Sequence, residues 1–190
     1  MVQHLRVAIP LLAHHYKCLK KQFYLTDIES YSSMSKTIIK TRKADENHQV
    51  VTFTLQDDNR NRQKRPCKTC PWRKDKVGIF PAEAFRHSAP TGYDIPELIA
   101  SGEMPSTFAC HKTGLKAPST CAGFLLAESS NHNLSLRMAQ MRGEDVLSGV
   151  QKGEAPLFDN YYDMAVANGV PPDDPRITPC WRPKKNNPDR

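Results

Sequence analysis

Four cysteines in two close groups constrain this chain more than any other feature. Cys67-Lys68-Thr69-Cys70 comes first, and Cys110-His111 and Cys121 follow well downstream. A Cys-x-x-Cys pair places two sulfurs near enough to share one metal ion, and a second half-site closes a tetrahedron. Turn-forming residues flank the groups: Arg65-Pro66, Cys70-Pro71, Thr113-Gly114 and Ala117-Pro118. The pattern predicts a metal site of the structural-zinc kind, and four thiols equally suit an iron–sulfur cluster. Adjacent residues rarely reach the same ion. The ligands therefore read as Cys67, Cys70, Cys110 and Cys121, or as a Cys₃His set in which His111 replaces Cys110. Two plainer readings stand beside it: buried thiols acting as small hydrophobes, or a Cys67–Cys70 redox pair. The charged linker before Cys67 weakens the second, because a thioredoxin-type motif follows a strand.

Composition makes a staple useful. Hydrophobic residues form 38% of the chain and there are 15 prolines, against about 45–50% apolar in ordinary domains on a count that includes Gly. A small core with long irregular stretches is expected, and a metal would offset the missing burial. The net charge of +7 suits an acidic partner such as nucleic acid, and is equally an ordinary solubility device. The densest basic stretch runs from Arg60 through Arg62, Lys64, Arg65, Lys68, Arg73 and Lys74 to Lys76. Arg60, Arg62, Lys64, Arg65 and Arg73 are its candidate phosphate contacts, with a solvated linker as the rival reading. A host-protein partner is the other candidate, through a helical face of Phe158, Tyr161 and Tyr162.

The six cysteines raise the question of compartment. The apolar patch Val7–Ala13 is short, is broken by Pro10, and lacks a small-residue cleavage site. No run approaches the roughly 18 apolar residues of a membrane span. These features point to a cytoplasmic protein with reduced, metal-binding cysteines and no membrane partner. They set no oligomeric state.

The fold class reads as small α+β, mainly α: a metal-stapled module with a minor N-terminal β-hairpin and irregular tails. Residues 1–33 form a doubtful or disordered arm. Met34 resembles a fresh start, so either it is the true initiator or the arm is genuine. Residues 34–64 carry a hairpin, Thr37–Thr41 with Gln49–Leu55 around an Asp45-Glu46-Asn47 turn, and then a charged linker. Residues 65–168 form the cysteine-cluster domain. It holds short helices from Phe80-Pro81, over Ile95–Ser101 to a stop at Gly102, and from near Cys121. Leu134, Met138 and Met141 share one face of a further helix, and Phe158, Tyr161, Tyr162 and Ala165 one face of the last. Residues 169–190 read as an irregular basic tail. Cys18 in the arm and Cys180 in the tail read as free thiols. Trp72 reads as packing against the site, or else as an exposed stacking platform for a base.

Enzyme signatures are absent: there is no Gly-rich phosphate loop, no His-Glu-x-x-His and no Gly-x-Ser-x-Gly. Pro66-Cys67-Lys68-Thr69-Cys70 matches half of a zinc-deaminase motif, but His48-Gln49-Val50 lacks the required glutamate. The reading leans to a non-enzymatic metal-binding protein that contacts nucleic acid or a host protein. The alternative is an iron–sulfur protein with a redox or nucleic-acid-processing role. Residues 65–145, through Cys67, Cys70, Pro71, Trp72, Arg73, Cys110, His111, Cys121, Ala122 and Gly123, resemble an uncharacterised family of bacterial and phage proteins. The resemblance implies a compact metal-binding module, often phage-borne, with no assigned activity.

Overall fold

A computed structural model of the chain describes residues 3–10, 36–55 and 61–183. Its first element in chain order lies where the sequence suggested only an arm. Strand β1 (Gln3–Pro10) pairs antiparallel with β3 (His48–Leu55), and β3 pairs antiparallel with β2 (Lys36–Lys43). A short strand β4 (Thr107–Phe108) runs parallel to β1 on its other side. The sheet order is β2-β3-β1-β4. The expected hairpin is thus half of a larger sheet, and β1 is an interior strand.

The reason is legible in hindsight: His4-Leu5-Arg6-Val7 alternates with period two. Leu5 and Val7 stand opposite Phe53 and Val51, and all four are almost fully buried. Pro10 ends the strand, as a residue without an N–H must. The rest of the expected arm, with Cys18 and Met34, lies outside the described residues. The hairpin turn is held by Asp45, whose Oδ1 accepts from the N–H groups of Asn47 and His48 at 2.7 and 2.6 Å.

Among the described residues five short α-helices follow β3, giving a mixed α+β fold. Helix α1 (Ala82–Ser88) begins after Pro81, and α2 (Ile95–Ser101) is capped by Asp94 and stopped by Gly102 at φ +66°. Helix α3 (Ala122–Leu126) starts immediately after Cys121. Helix α4 (Leu134–Met141) is capped by the side chain of Asn133, and α5 (Tyr161–Ala167) by that of Asn160. These amide caps supply N-terminal acceptors that propensity alone does not. Among the described residues no helix is long and apolar enough to cross a membrane.

The main core gathers Trp72, Phe85, Phe108, Phe124, Tyr161 and Met164 between the sheet and the helices. Three expectations change here. In α4 the buried residues are Leu136 and Ala139, whereas Met138 and Met141 are exposed; the periodicity marked the opposite face. The helix is short and its periodic signal weak, so the pull of Phe124 and its neighbours decides which side turns inward. Two of the three residues of the expected partner face lie in the core: Tyr161 is fully buried, its hydroxyl donating to the Phe85 carbonyl at 2.7 Å, and Phe158 is buried too, whereas Tyr162 is partly exposed. The C-terminal stretch is irregular as expected, yet Val170, Ile177 and Cys180 are buried in the core. Turn hydrogen bonds, Ile177 N–H to Asp174 O and Cys180 N–H to Ile177 O, both at 3.0 Å, satisfy its backbone without helix or strand. Cys180 is a free thiol, but an interior one.

Candidate metal centre

Local backbone pairing brings the cysteines together. Cys70 donates its N–H to the Cys67 carbonyl at 3.1 Å, and Arg73 donates to that of Cys70 at 3.0 Å, winding the Cys-x-x-Cys segment into a knuckle. A two-bond ribbon sets the other pair: Cys110 N–H to Ser119 O at 2.8 Å and Cys121 N–H to Phe108 O at 2.9 Å. β4 leads into that ribbon, so the sheet itself carries Cys110 and Cys121 to the knuckle.

The four thiols lie near one another. Cys70 Sγ lies 3.6 Å from Cys121 Sγ, and the Cys67 thiol is close enough to those of Cys110 and Cys70 for both to shift its pKa. Two tetrahedral ligands about 2.3 Å from one zinc ion stand roughly 3.8 Å apart, so the measured pair has the spacing of one shared ion. Among the described residues no group of three or more His, Cys, Asp or Glu side chains is placed to hold a metal ion. Cys70 and Cys121 are joined by an S–H···S hydrogen bond in which either sulfur can be the donor. Their chemistry fits a soft cation. Cys70, Cys110 and Cys121 are buried and Cys67 is half-buried.

Protons are held tightly in this state. The Cys121 thiol and burial raise the Cys70 pKa, and the Cys67 thiol and burial do the same at Cys110. At Cys67 the bond with Cys110 pulls the pKa down, but Cys70 and burial outweigh it and the net shift is upward. Burial chiefly, then Lys112, lowers the pKa of His111, keeping its imidazole neutral. His111 Nε2 lies 3.0 Å from Thr69 Oγ1 and 3.9 Å from Cys67 Sγ. Its Nδ1 is buried without a partner. The ring therefore sits at the edge of the thiol cluster, beside Cys67, with one nitrogen turned to it.

Gly123 closes the floor. A Cβ there would fall 2.7 Å from Cys70 Sγ and 2.7 Å from Trp72 Cβ, so only glycine lets α3 approach the knuckle. Trp72 is fully buried, edge-on to Phe108 and Tyr161 at 5.9 and 6.0 Å. It packs, and does not serve as an exposed platform for a base.

A family model described as "Family of unknown function (DUF6283)" matches residues 62–182. The chain belongs to this family. No curated protein and no solved structure matches it. The DUF6283 region holds all four clustered cysteines, His111 and Gly123, and leaves β1, β2 and β3 outside.

The basic residues divide. Arg62, Lys64, Arg65 and Lys68 line an open cleft of about 790 Å³ that reaches Cys67, joined by Lys112 and by Gln151. Among the described residues no carboxylate lines it. Lys112 and Gln151 were not legible as part of it, because long-range bonds bring them there, among them Gln151 N–H to Lys64 O at 2.7 Å. Arg73 is turned to other work, donating through Nε and Nη2 to the two oxygens of Asp75 at 2.8 and 2.7 Å. Arg60 lies outside the described residues.

Proposed function

We propose that this protein is a non-enzymatic metal-binding module in which Cys67, Cys70, Cys110 and Cys121 hold one zinc ion, with a polyanion, nucleic acid in the first instance, received in the cleft beside them. The 3.6 Å separation of Cys70 Sγ and Cys121 Sγ carries the reading. In a [4Fe–4S] cluster each cysteine binds a different iron and the sulfurs stand further apart, so the spacing supports one shared ion over that cluster; a [2Fe–2S] cluster, in which two sulfurs share an iron, is separated from zinc by the spectrum below. When bound, the ion would supply a covalent-strength cross-link between the knuckle and the α3 ribbon. The chain's own residues do the rest. Gly123 admits the close approach, Trp72 and Phe124 exclude water, and Thr69 orients His111. Cys110 is the fourth ligand in this reading, with His111 as its substitute in a Cys₃His set. Reduced thiols of this kind belong in a reducing compartment such as the cytoplasm.

The cleft supports the second half of the proposal. Its cations Lys64, Lys68 and Lys112 gather on one concave surface without opposing acids among the described residues, the condition for phosphate neutralisation. Elemental analysis and an absorption spectrum of protein purified without oxygen test the metal. A single equivalent of zinc with no visible absorption is expected, and a brown protein containing iron and sulfide would replace zinc with the cluster. A metal-free, fully folded protein would reject both.

A further inference from the structure

Away from the cysteines, a second concavity of about 160 Å³ opens where β1, β2 and β3 meet the segment after α2. We propose that it is a binding site for a single phosphate-class oxyanion. Cross-strand register builds it: Arg6 and Lys40 both stand opposite Thr52, on either side of β3. Arg42 adds a third cation to the lining, and Glu103 is its carboxylate, leaving an excess of positive charge.

Arg6 is almost fully buried, an expensive position for a guanidinium without anionic company. Its one carboxylate partner among the described residues is Glu103, paired with Nη2 and shared with the other cations of the lining, while Nε donates to Ser106 Oγ and Nη1 to the His87 carbonyl, both at 3.3 Å. A guanidinium has five N–H donors, so these three bonds leave two for a ligand. Arg42 lines the same cavity, and burial first, then the charge of Arg6, lowers its pKa, while Glu103 opposes the shift.

Two orphaned atoms point to what completes the site. Thr52 is more than nine-tenths buried, and among the described residues its Oγ1 has no hydrogen-bond partner; nor has the buried Nδ1 of His4. Both residues line the cavity. Buried polar groups are almost always satisfied. One tetrahedral oxyanion would accept from Thr52, His4 and the guanidinia together and relieve the like-charge repulsion. The volume is well below the roughly 300–1,000 Å³ of organic-ligand pockets, which selects a single anionic group over a larger molecule. Three of the strands that form the site lie outside the DUF6283 match, so it is a property of this chain's own N-terminal sheet.

Thermal melts and titration calorimetry of the full chain test it, with inorganic phosphate and sulfate against chloride at equal ionic strength. Phosphate and sulfate are expected to raise the melting temperature where chloride does not. Thr52→Val keeps shape and β-branching and removes only the orphaned hydroxyl. Without anion it should melt at or above wild type, yet bind phosphate about ten-fold more weakly; Arg42→Met should weaken binding similarly. The cleft variant Lys64→Glu/Lys68→Glu should bind phosphate as wild type does. Phenyl phosphate separates the sources: if it competes, the ligand is a phosphomonoester, and if it fails while inorganic phosphate binds, the free ion. No anion-specific stabilisation of wild type overturns the proposal. So does phosphate affinity that survives both Thr52→Val and Arg42→Met.

Discussion

Gly123 and Cys70 approach so closely that no side chain fits between them: a Cβ on the glycine would stand 2.7 Å from the cysteine sulfur. The motif Cys121-Ala122-Gly123 therefore has a steric reading. Cys121 provides a thiol, and Gly123, two residues on, leaves room for the thiol opposite. Gly123→Ala has no backbone penalty to confuse the outcome, since its cost is overlap alone. It should destabilise the protein by about 1–3 kcal/mol and lower metal content, read by thermal melt and elemental analysis. Wild-type values in both would show that the knuckle is loose.

If the proposed zinc site is correct, chelation should unfold the DUF6283 region, or lower its melting temperature sharply. On that reading the ion ties two distant segments and would supply much of the folding free energy. Cys70→Ser should behave like chelation. Cys180→Ala should retain full metal but cost about 1 kcal/mol or more, because its side chain is buried against the Ala89 carbonyl. Metal loss in Cys180→Ala, or retention in Cys70→Ser, would reassign the ligands.

Binding of duplex DNA should weaken steeply with salt, with a log–log slope of about −0.9 per phosphate contacted. Reversing Lys64, Lys68 and Lys112 to glutamate should abolish it and leave metal content unchanged. Arg73→Gln should leave affinity near wild type, because Arg73 is engaged by Asp75. Undiminished binding after the triple reversal would move the interface elsewhere.

Acid should loosen the C-terminal packing first. Asp174 and Glu83 are paired with Arg86 and Arg176, at 2.6 and 3.3 Å for Asp174 and 3.1 and 2.7 Å for Glu83. Burial alone would raise both carboxyl pKa values, but hydrogen bonds and the arginine charges outweigh it and hold them below the usual range. A depressed folded pKa means that the stabilisation is complete above the unfolded value of about 4 and fades as pH falls through the folded one. Asp174→Asn should cost about 1.5–3 kcal/mol at neutral pH and flatten the acid limb of a stability–pH curve. An unchanged acid limb would show that other carboxylates control it.

A chain beginning at Met34 lacks β1. Deleting residues 1–33 should expose Val51, Phe53 and Leu55, which β1 covers, and leave β4 without its partner. Aggregation or strong binding of a hydrophobic dye is the expected result. A deletion variant that melts like the full chain would mean that the sheet does not need its interior strand.

What residues declare locally could be read without a structure. The Asp45 turn between two β-branched runs and the stop at Gly102 each depend on neighbours in sequence, and each appears as expected. Tertiary structure decided whatever depends on distant partners. β1 became interior because Leu5 and Val7 found Phe53 and Val51 across more than one intervening segment. Met138 and Met141 turned outward because a short helix follows the core rather than its own weak period. Lys112 and Gln151 joined the basic cleft, and Arg6 met Thr52, through chain pairings that no spacing rule announces. Sequence determined which groups were available for chemistry. Long-range packing decided which of them face one another, because the free energy of burial depends on surfaces that become neighbours only once the chain has closed.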